Sequence, residues 1–178
     1  MLDIKVSTEQ IKYAYHLVKK HNFGNRGIAD GNKTEQFIGI LGQVVIADLL
    51  KLKRPDGTSG FDGGYDFLID GKKVDVKTMG RTVAMKNFYV HNFIGWQKNF
   101  EVDYYLFCSF NKSRRIMTIC GWISKADFFK KAKLYKQGSR RYREDGTHFE
   151  TKADLYEIKQ QDLNKTDSSE NLLSFLPE

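Results

Sequence analysis

The sequence predicts an α/β (α+β) fold with a central mixed β-sheet flanked by helices. Three kinds of signal predict it: capped helical patterns, a hairpin turn between alternating strands, and long apolar strand-like runs. Along the chain these are helix signals at Ser7 and Thr34, a hairpin around Asp70-Gly71, strands over 103–110 and 115–123, and a helix signal at Ser124. This order favours one domain over all 178 residues.

The first helix is predicted over 8–21. Ser7 and Gln10 have the spacing of a capping box, and apolar residues then recur at helical intervals. The glycine-rich segment 22–33 that follows is predicted to be an exposed loop. Arg26 in this loop is a candidate phosphate contact, with a solvated loop arginine as the alternative.

The second helix is predicted to have Thr34 as its cap and to run from about 35 to 51. Its interior is apolar nearly all the way round, which is typical of a buried helix. Gly39 and Gly42 weaken a helix, so a close backbone contact on their face is expected to compensate. Gln43 is one of the few polar residues in the middle of this helix.

A hairpin is predicted between Tyr65 and Thr78, with Asp70-Gly71 as the central residues of a type I′ turn. Because side chains alternate along a strand, this register separates two faces. One face holds Tyr65, Phe67, Ile69, Val74 and Val76, and the other holds Asp66, Leu68, Lys73, Asp75 and Lys77. Asp66 is therefore predicted to lie directly opposite Asp75.

The opposed carboxylates are the strongest functional signal in the sequence. Two like charges roughly 5 Å apart destabilise an antiparallel ladder, and a hard cation such as Mg²⁺ between Asp66 and Asp75 would remove the conflict. Lys77 points to the same side as Asp75 and is suited to orient a metal-polarised water or to stabilise charge on a phosphate. Mg²⁺-dependent phosphodiester hydrolysis is therefore predicted, with Mn²⁺ as a substitute ion. The alternative is a polar sheet face with ordinary solvated charges.

The remaining segments carry weaker signals. Residues 82–100 are aromatic and ambiguous, and Ser124 is predicted to cap a helix with Asp127 at the capping-box position. A charged loop is predicted over 136–152, a short strand over 154–158 and a loosely held tail over 164–175. Cys108 and Cys120 fall in strand-like runs and are expected to be buried free thiols.

The chain resembles the PD-(D/E)xK nuclease superfamily, which includes type II restriction enzymes and Holliday-junction resolvases. The resemblance is carried by Gly64-Tyr65-Asp66, by Val74-Asp75-Val76-Lys77-Thr78 and by the helix segment Gly39-Ile40-Leu41-Gly42-Gln43. It implies a restriction-endonuclease-like core over about 34–134, preceded by the helix 8–21 and followed by a basic loop, strand and tail over 135–178. It also implies that Asp66, Asp75 and the Val76 carbonyl bind the metal, and that Lys77 is the catalytic lysine of a DNA endonuclease.

Two positions depart from the pattern of this superfamily. Tyr65 stands where the motif has proline, and Gln43 stands where many members carry a metal-binding glutamate. Glu35 and Asp48 on the same helix are about 80° and 140° away from Gln43, so neither is an obvious replacement. A glutamine offers a carbonyl oxygen but no negative charge. A catalytically weak or inactive DNA-binding module of the same fold therefore stays open, as does an RNA-directed nuclease.

The net charge of +7 and the pI of about 9.3 fit a nucleic-acid partner. Arg81 and Lys86 directly follow the strand of Asp75, and Arg114 and Arg115 lie between two predicted strands. Arg140, Arg141 and Arg143 are interleaved with tyrosines, a pattern that suits phosphate contact and base stacking. A solvated loop is the alternative for 136–143.

Several classes of protein are not expected from this sequence. No apolar run is long enough to span a bilayer, and the charged N-terminal segment does not resemble a signal peptide, so a cytoplasmic location is expected. The sequence has no P-loop and no dinucleotide fingerprint, which argues against a nucleotide cofactor. Cutting both strands of a duplex needs two centres, so a homodimer is considered, although no interface is visible in the sequence.

Overall fold

The computed structural model describes residues 1–23, 31–58, 64–142, 146–168 and 172. These residues form three α-helices, ten β-strands and two short 3-10 helices, Gly95–Asn99 and Gln160–Asp162. In chain order the helices and strands are β1 Leu2–Lys5, α1 Thr8–Lys20, α2 Lys33–Leu49, β2 Phe67–Ile69, β3 Lys72–Arg81, β4 Val90–Ile94, β5 Tyr104–Asn111, β6 Ile116–Ser124, α3 Lys125–Lys131, β7 Lys133–Tyr135, β8 Arg140–Tyr142, β9 His148–Glu150 and β10 Leu155–Lys159. No helix among them is both long and apolar enough to cross a membrane.

The helix caps agree with the sequence at α1 and differ at α2. Ser7 and Gln10 form the predicted capping box. The predicted Thr34 cap is wrong, because Asn32 caps α2: its Oδ1 accepts from the Glu35 N–H at 3.0 Å, and Glu35 Oε2 accepts from the Asn32 N–H at 2.9 Å. Asparagine is as good an N-cap as threonine, and Glu35 at the third helical position completes a box only with Asn32.

The central sheet has five strands in the order β1-β6-β5-β3-β2. The β3–β5 pair is parallel and the other pairs are antiparallel. The predicted mixed α+β architecture is confirmed in this form. β1 was not predicted from the sequence, because its four residues gain a partner only at the edge of β6, where Leu2 lies opposite Ile119.

The parallel β3–β5 connection crosses one face of the sheet. It contains β4 and the 3-10 helix Gly95–Asn99, which accounts for the ambiguous stretch 82–100. β4 pairs with β10, and β10 pairs with β7, in a second sheet of three strands. The predicted strand 154–158 is confirmed as β10 with a shift of one residue, whereas the prediction of a loop over 136–152 is wrong where β8 pairs with β9.

Two apolar clusters cover opposite faces of the central sheet. The first joins α1 and α2 to the sheet, and the second joins the sheet to β4, α3 and β10. Leu172 is fully buried in the first cluster, so the prediction of a loose tail is wrong at this residue. Tyr65 was assigned to the face of Phe67 but packs against the second cluster, because β2 and its alternation begin only at Phe67. Cys108 and Cys120 are buried free thiols, as expected.

The close contact expected of the α2 glycines occurs at one of them. A Cβ atom on Gly42 would lie 1.9 Å from Thr78 Oγ1, whereas a Cβ on Gly39 would meet no described atom within 4 Å. The bare backbone at Gly42 lets α2 approach β3 directly. This approach brings Gln43, the next residue of the helix, beside the strand that carries Asp75.

Candidate active site

The hairpin has the predicted register from Phe67 to Lys72, but the predicted pairing of Asp66 with Asp75 is not formed. Phe67 lies opposite Val74, and the turn residues Asp70 and Gly71 have φ values of 46° and 77°. Positive φ at both positions is the requirement of a type I′ turn, so that prediction is confirmed. β2 begins just after Asp66, whose N–H donates to the Val74 carbonyl at 3.0 Å. Asp66 therefore shares its partner residue with Phe67, and its side chain contacts Gln43 of α2 instead of lying opposite Asp75.

The Asp66 carboxylate bridges a helix and the edge of β3. Its Oδ1 accepts from Gln43 Nε2 at 2.7 Å, and its Oδ2 accepts from the Val76 N–H at 2.7 Å. The N–H and C=O of a strand residue point to the same edge, so the Val76 carbonyl is directed to the side on which Asp66 lies. Gln43, Asp66 and Val76 are therefore brought together by hydrogen bonds.

Asp75 and Lys77 form an ion pair on the other side of β3 from α2. Asp75 Oδ2 lies 2.6 Å from Lys77 Nζ, and the two side chains are only 5 % and 19 % exposed. Within the described residues, no partner other than Lys77 is found for this buried oxygen. The Lys77 ammonium also lies 5.7 Å from the centre of the Phe93 ring. Because both side chains are largely shielded from water, the attraction between their charges is stronger than it would be at the surface.

The like-charge conflict predicted for directly opposed acids is not found, because the two acids are not paired and each has its own protein partners. Asp66 has the Gln43 amide and the Val76 N–H, and Asp75 has the Lys77 ammonium. A cation is consequently not required to hold the hairpin together.

All five of these residues line one cleft of about 1090 Å³ between α2, β3, β4 and the segment 149–155. Among the described residues that line it, carboxylates outnumber Lys and Arg side chains by six to four. The carboxylates are Glu35, Asp56, Asp66, Asp75, Glu150 and Asp154. A cleft of this balance favours a cation over a bare polyanion, although the whole chain carries a charge of +7.

The donor set at the centre of the cleft suits a hard divalent ion. The two carboxylates and the Val76 carbonyl supply oxygen atoms, which Mg²⁺ prefers. The described residues contain no group of three or more His, Cys, Asp or Glu side chains that could hold a metal. The candidate metal ligands are thus two side chains and one backbone carbonyl, with water for the remaining positions.

Tyr105 and Asn92 belong to the surroundings of the site and were not predicted. Tyr105 lies beside Asp75 in the parallel register. Burial, and then the negative charge of Asp75, raise the pKa of the Tyr105 hydroxyl well above its usual range. In the described part of the chain, neither that hydroxyl nor Asn92 Oδ1 has a hydrogen-bond partner, although both are buried. No local sequence signal relates these residues to Asp75, because only the pairing of distant strands does so.

The nucleic-acid candidates near β3 differ in exposure. Arg81 is half-buried, donates to the Val90 carbonyl at 2.7 Å and lies 4.8 Å from the centre of the Tyr89 ring. Burial lowers the pKa of its guanidinium. Lys86, Arg114 and Arg115 are exposed, and no ion pair is found for them among the described residues.

The candidates further along the chain are engaged with acids. Arg141 donates to both carboxylate oxygens of Glu157, at 3.1 and 2.5 Å, and its guanidinium lies 3.8 Å from the centre of the Tyr135 ring. Arg140 lies 3.9 Å from Glu150. Arg26 and Arg143 lie outside the described residues.

No family model, curated protein or solved structure matches the chain.

Proposed function

We propose that this chain is a Mg²⁺-dependent endonuclease that hydrolyses phosphodiester bonds in DNA, with a site of the PD-(D/E)xK type on a restriction-endonuclease-like core. One observation carries the proposal. The Asp66 carboxylate accepts from the Val76 N–H at 2.7 Å. Val76 lies between Asp75 and Lys77 in β3. Two acids, a backbone carbonyl and a lysine thus line one cleft.

The residues fit a divalent ion chemically. Asp75 Oδ2 is buried 2.6 Å from the Lys77 ammonium, and no other partner is found for it among the described residues, so an ion bound here would share this oxygen with Lys77. Asp66 Oδ1 accepts from Gln43 and Oδ2 from the Val76 N–H, and a carboxylate oxygen has lone-pair sites for more than one interaction. When bound, Mg²⁺ supplies Lewis-acid polarisation of a phosphoryl oxygen and a lower pKa for an attacking water. Mn²⁺ has the same preference for oxygen ligands.

Lys77 and Gln43 have separate roles in the proposal. The Lys77 ammonium, held 2.6 Å from Asp75, places a positive charge where a phosphate would gain negative charge in the transition state. Gln43 donates to Asp66 and so orients the carboxylate without adding charge. It acts as a positioning residue where a glutamate would be a ligand.

Plasmid nicking tests the proposal. Supercoiled DNA is incubated with wild-type protein and Mg²⁺ or Mn²⁺, beside Asp75→Ala and beside Glu101→Gln, an exposed acid outside the cleft that pairs with Lys73. Wild type and Glu101→Gln are expected to nick equally, and Asp75→Ala at least about a hundredfold more slowly. Equal nicking by Asp75→Ala and wild type, or none by wild type with either ion, would overturn the proposal. A labelled RNA in the same assay identifies an RNA-directed nuclease if it alone is cut.

A DNA-binding module of the same fold without catalysis is the second candidate. The amide of Gln43 favours it, because an uncharged group stands at a position where a carboxylate would strengthen metal binding. A gel shift of DNA without nicking by wild type identifies this function. Nicking that appears or increases in Gln43→Glu would then place the missing charge at this residue.

A further inference from the structure

The end of the central sheet beyond Asp75 and Lys77 carries a dense, unbalanced positive charge. We call it the basic edge and define it as the segment 81–90, which ends β3 and leads into β4, together with the β5–β6 turn 111–116. The basic edge contains five Lys and Arg residues and no Asp or Glu. The five are Arg81, Lys86, Lys112, Arg114 and Arg115.

The two segments of the basic edge form one continuous surface. The Lys112 N–H donates to the Arg81 carbonyl at 2.9 Å, and Ser113 Oγ donates to the Thr82 carbonyl at 3.0 Å. The stem of Lys112 lies over Gly80, since its Cε would be 2.9 Å from a Cβ at that residue. These contacts fix the β5–β6 turn against the segment that follows β3.

The exposed cations of the basic edge have no acidic partners. Lys86, Lys112, Arg114 and Arg115 are exposed, and no ion pair is found for any of them in the described ranges. Like charges at close range repel each other, and a polyanion relieves that repulsion while it releases counterions. Phosphate groups therefore match the chemistry of this surface.

An exposed aromatic ring lies beside Lys86, one of these cations. Phe88 is 56 % exposed, its ring lies edge-on to Tyr89 at 5.0 Å, and Lys86 Nζ lies 5.4 Å from its centre. More than half of this phenylalanine is exposed, and a positive charge lies over its ring. Base stacking on an aromatic ring next to a basic groove is how proteins bind single-stranded nucleic acid.

The basic edge continues into the cleft along β3. Every second side chain of that strand lies on one face, which holds Asp75, Lys77, Met79 and Arg81. At the rise of an extended chain, Lys77 is about 13 Å from Arg81. Met79 lines the cleft, and its Sδ lies 3.9 Å from an Arg81 nitrogen. A strand bound at the basic edge would therefore lead to the candidate catalytic residues.

We propose that the basic edge binds a single-stranded segment of DNA, with its phosphates on Lys86, Lys112 and Arg114 and an unpaired base stacked on Phe88. The substrate class follows: DNA with a single-stranded arm or gap rather than uniform duplex. This substrate class rests on the proposed nuclease function, whereas the binding itself does not. Exposed Phe88 beside cations also resembles a membrane-binding loop, but the continuity with the cleft favours nucleic acid.

Fluorescence anisotropy with a labelled single-stranded oligonucleotide tests the binding. The Asp75→Ala protein is used with EDTA present, so that neither cleavage nor metal enters the measurement. Lys86→Gln, Lys112→Gln and Arg114→Gln are each expected to make the slope of log K against log salt less negative by about 0.7. Lys136→Gln is the matched control with no expected change, because that lysine is paired with Asp154 at 2.8 Å. Phe88→Ala is expected to weaken binding about tenfold at an unchanged slope.

Each other outcome has a defined meaning. The proposal is overturned if the triple Gln variant keeps the wild-type affinity and slope, if Phe88→Ala binds normally, or if duplex binds as tightly as single strand. Binding to phosphatidylserine vesicles but not to the oligonucleotide also overturns it. Binding that depends on the basic edge in a protein that never nicks supports the binding site while the nuclease proposal fails. If the protein nicks DNA but its binding is unchanged in these variants, the nuclease proposal is supported and the proposed binding site is rejected.

Discussion

Two basic regions of this molecule look alike in sequence and differ in structure. The basic edge keeps its exposed cations unpaired. The second region, which we call the paired segment and define as residues 136–157, has Lys136 at 2.8 Å from Asp154 and Arg141 bonded to Glu157. Both regions interleave basic with aromatic residues. In the described part of the paired segment, Lys136, Arg140 and Arg141 each lie within ion-pair distance of an acid, whereas no ion pair is found for the exposed cations of the basic edge.

The difference teaches what a basic residue does in each place. Arg141 stacks on Tyr135 and forms a two-point bond with a carboxylate that is only 7 % exposed, so its charge contributes to folding. A phosphate could reach this guanidinium only by competing with Glu157. Lys112 and Arg114 have no such bond and contribute charge to the surface. We therefore expect stability to depend on the paired segment and nucleic-acid binding to depend on the basic edge.

The largest expected effect on stability comes from the β4–β10 strand pair, which connects the two regions. β4, which follows the basic edge, pairs with β10, which carries Glu157. His91 in β4 is fully buried, and its Nε2 lies 2.7 Å from Gln160 Oε1. Burial lowers the pKa of His91 from 6.5 to about 4. Below pH 6.5, His91 becomes protonated in the unfolded chain but stays neutral in the folded chain. The free energy of unfolding therefore falls as the pH drops towards 4.

This loss should amount to about 3 kcal/mol in the free energy of unfolding. Urea unfolding at a series of pH values measures it. His91→Gln removes the titrating group and should flatten the pH dependence by that amount, whatever its overall stability. His16→Gln, at an exposed histidine of α1, should leave the curve unchanged. An unaltered pH dependence in His91→Gln would show that protonation of His91 does not cause the loss of stability.

The next effect separates the two regions by stability. Glu157→Gln leaves the guanidinium of Arg141, whose side chain is 24 % exposed, without its charge partner. We expect a loss of about 2 kcal/mol in the free energy of unfolding, because a charge-assisted bond is replaced by a weaker one. Lys112→Gln is the matched change at the basic edge and should stay within about 0.5 kcal/mol of wild type. Similar losses in the two variants would remove the distinction between the regions.

The smallest effect tests whether pairing is what keeps a cation of the paired segment from binding DNA. Arg140 and Glu150 are exposed and 3.9 Å apart, so their mutual attraction is weak. Glu150→Gln should free Arg140 and tighten binding of the single-stranded oligonucleotide by about twofold, with little change in stability. The measurement is the anisotropy titration at low salt. An unchanged affinity would mean that position, rather than pairing, separates the two regions.

Features fixed by neighbouring residues could be predicted from the sequence. The Asp70-Gly71 turn and the alternation around it determine the hairpin register, and the Ser7 box determines the start of α1. The start of α2 was predicted two residues late, because Asn32 and Thr34 are both capable caps. What chooses between them is the reach of the Glu35 side chain back to Asn32, which the residue types alone do not show.

Features fixed by distant residues could not be predicted. The hairpin pattern relates Asp75 to Lys77, but the Asp66 carboxylate is directed by Gln43 of α2, and Tyr105 lies beside Asp75 only through the parallel pairing of β3 with β5. The neutralisation of Arg141 depends on Glu157, sixteen residues further along in another strand. The same interleaved pattern of charges and rings thus fits a binding loop and a paired structural segment equally well.

The unequal lengths of β2 and β3 have a consequence for how the centre can be observed. β3 has ten residues and β2 has three, so the Val76 N–H is held by the Asp66 side chain where a longer β2 would hold it by a carbonyl. The protection of this one amide from hydrogen exchange accordingly depends on a single carboxylate. A cation that drew Asp66 Oδ2 away would break this hydrogen bond and speed the exchange of the Val76 amide. The exchange rate would then report whether the metal site is occupied, without any catalytic turnover.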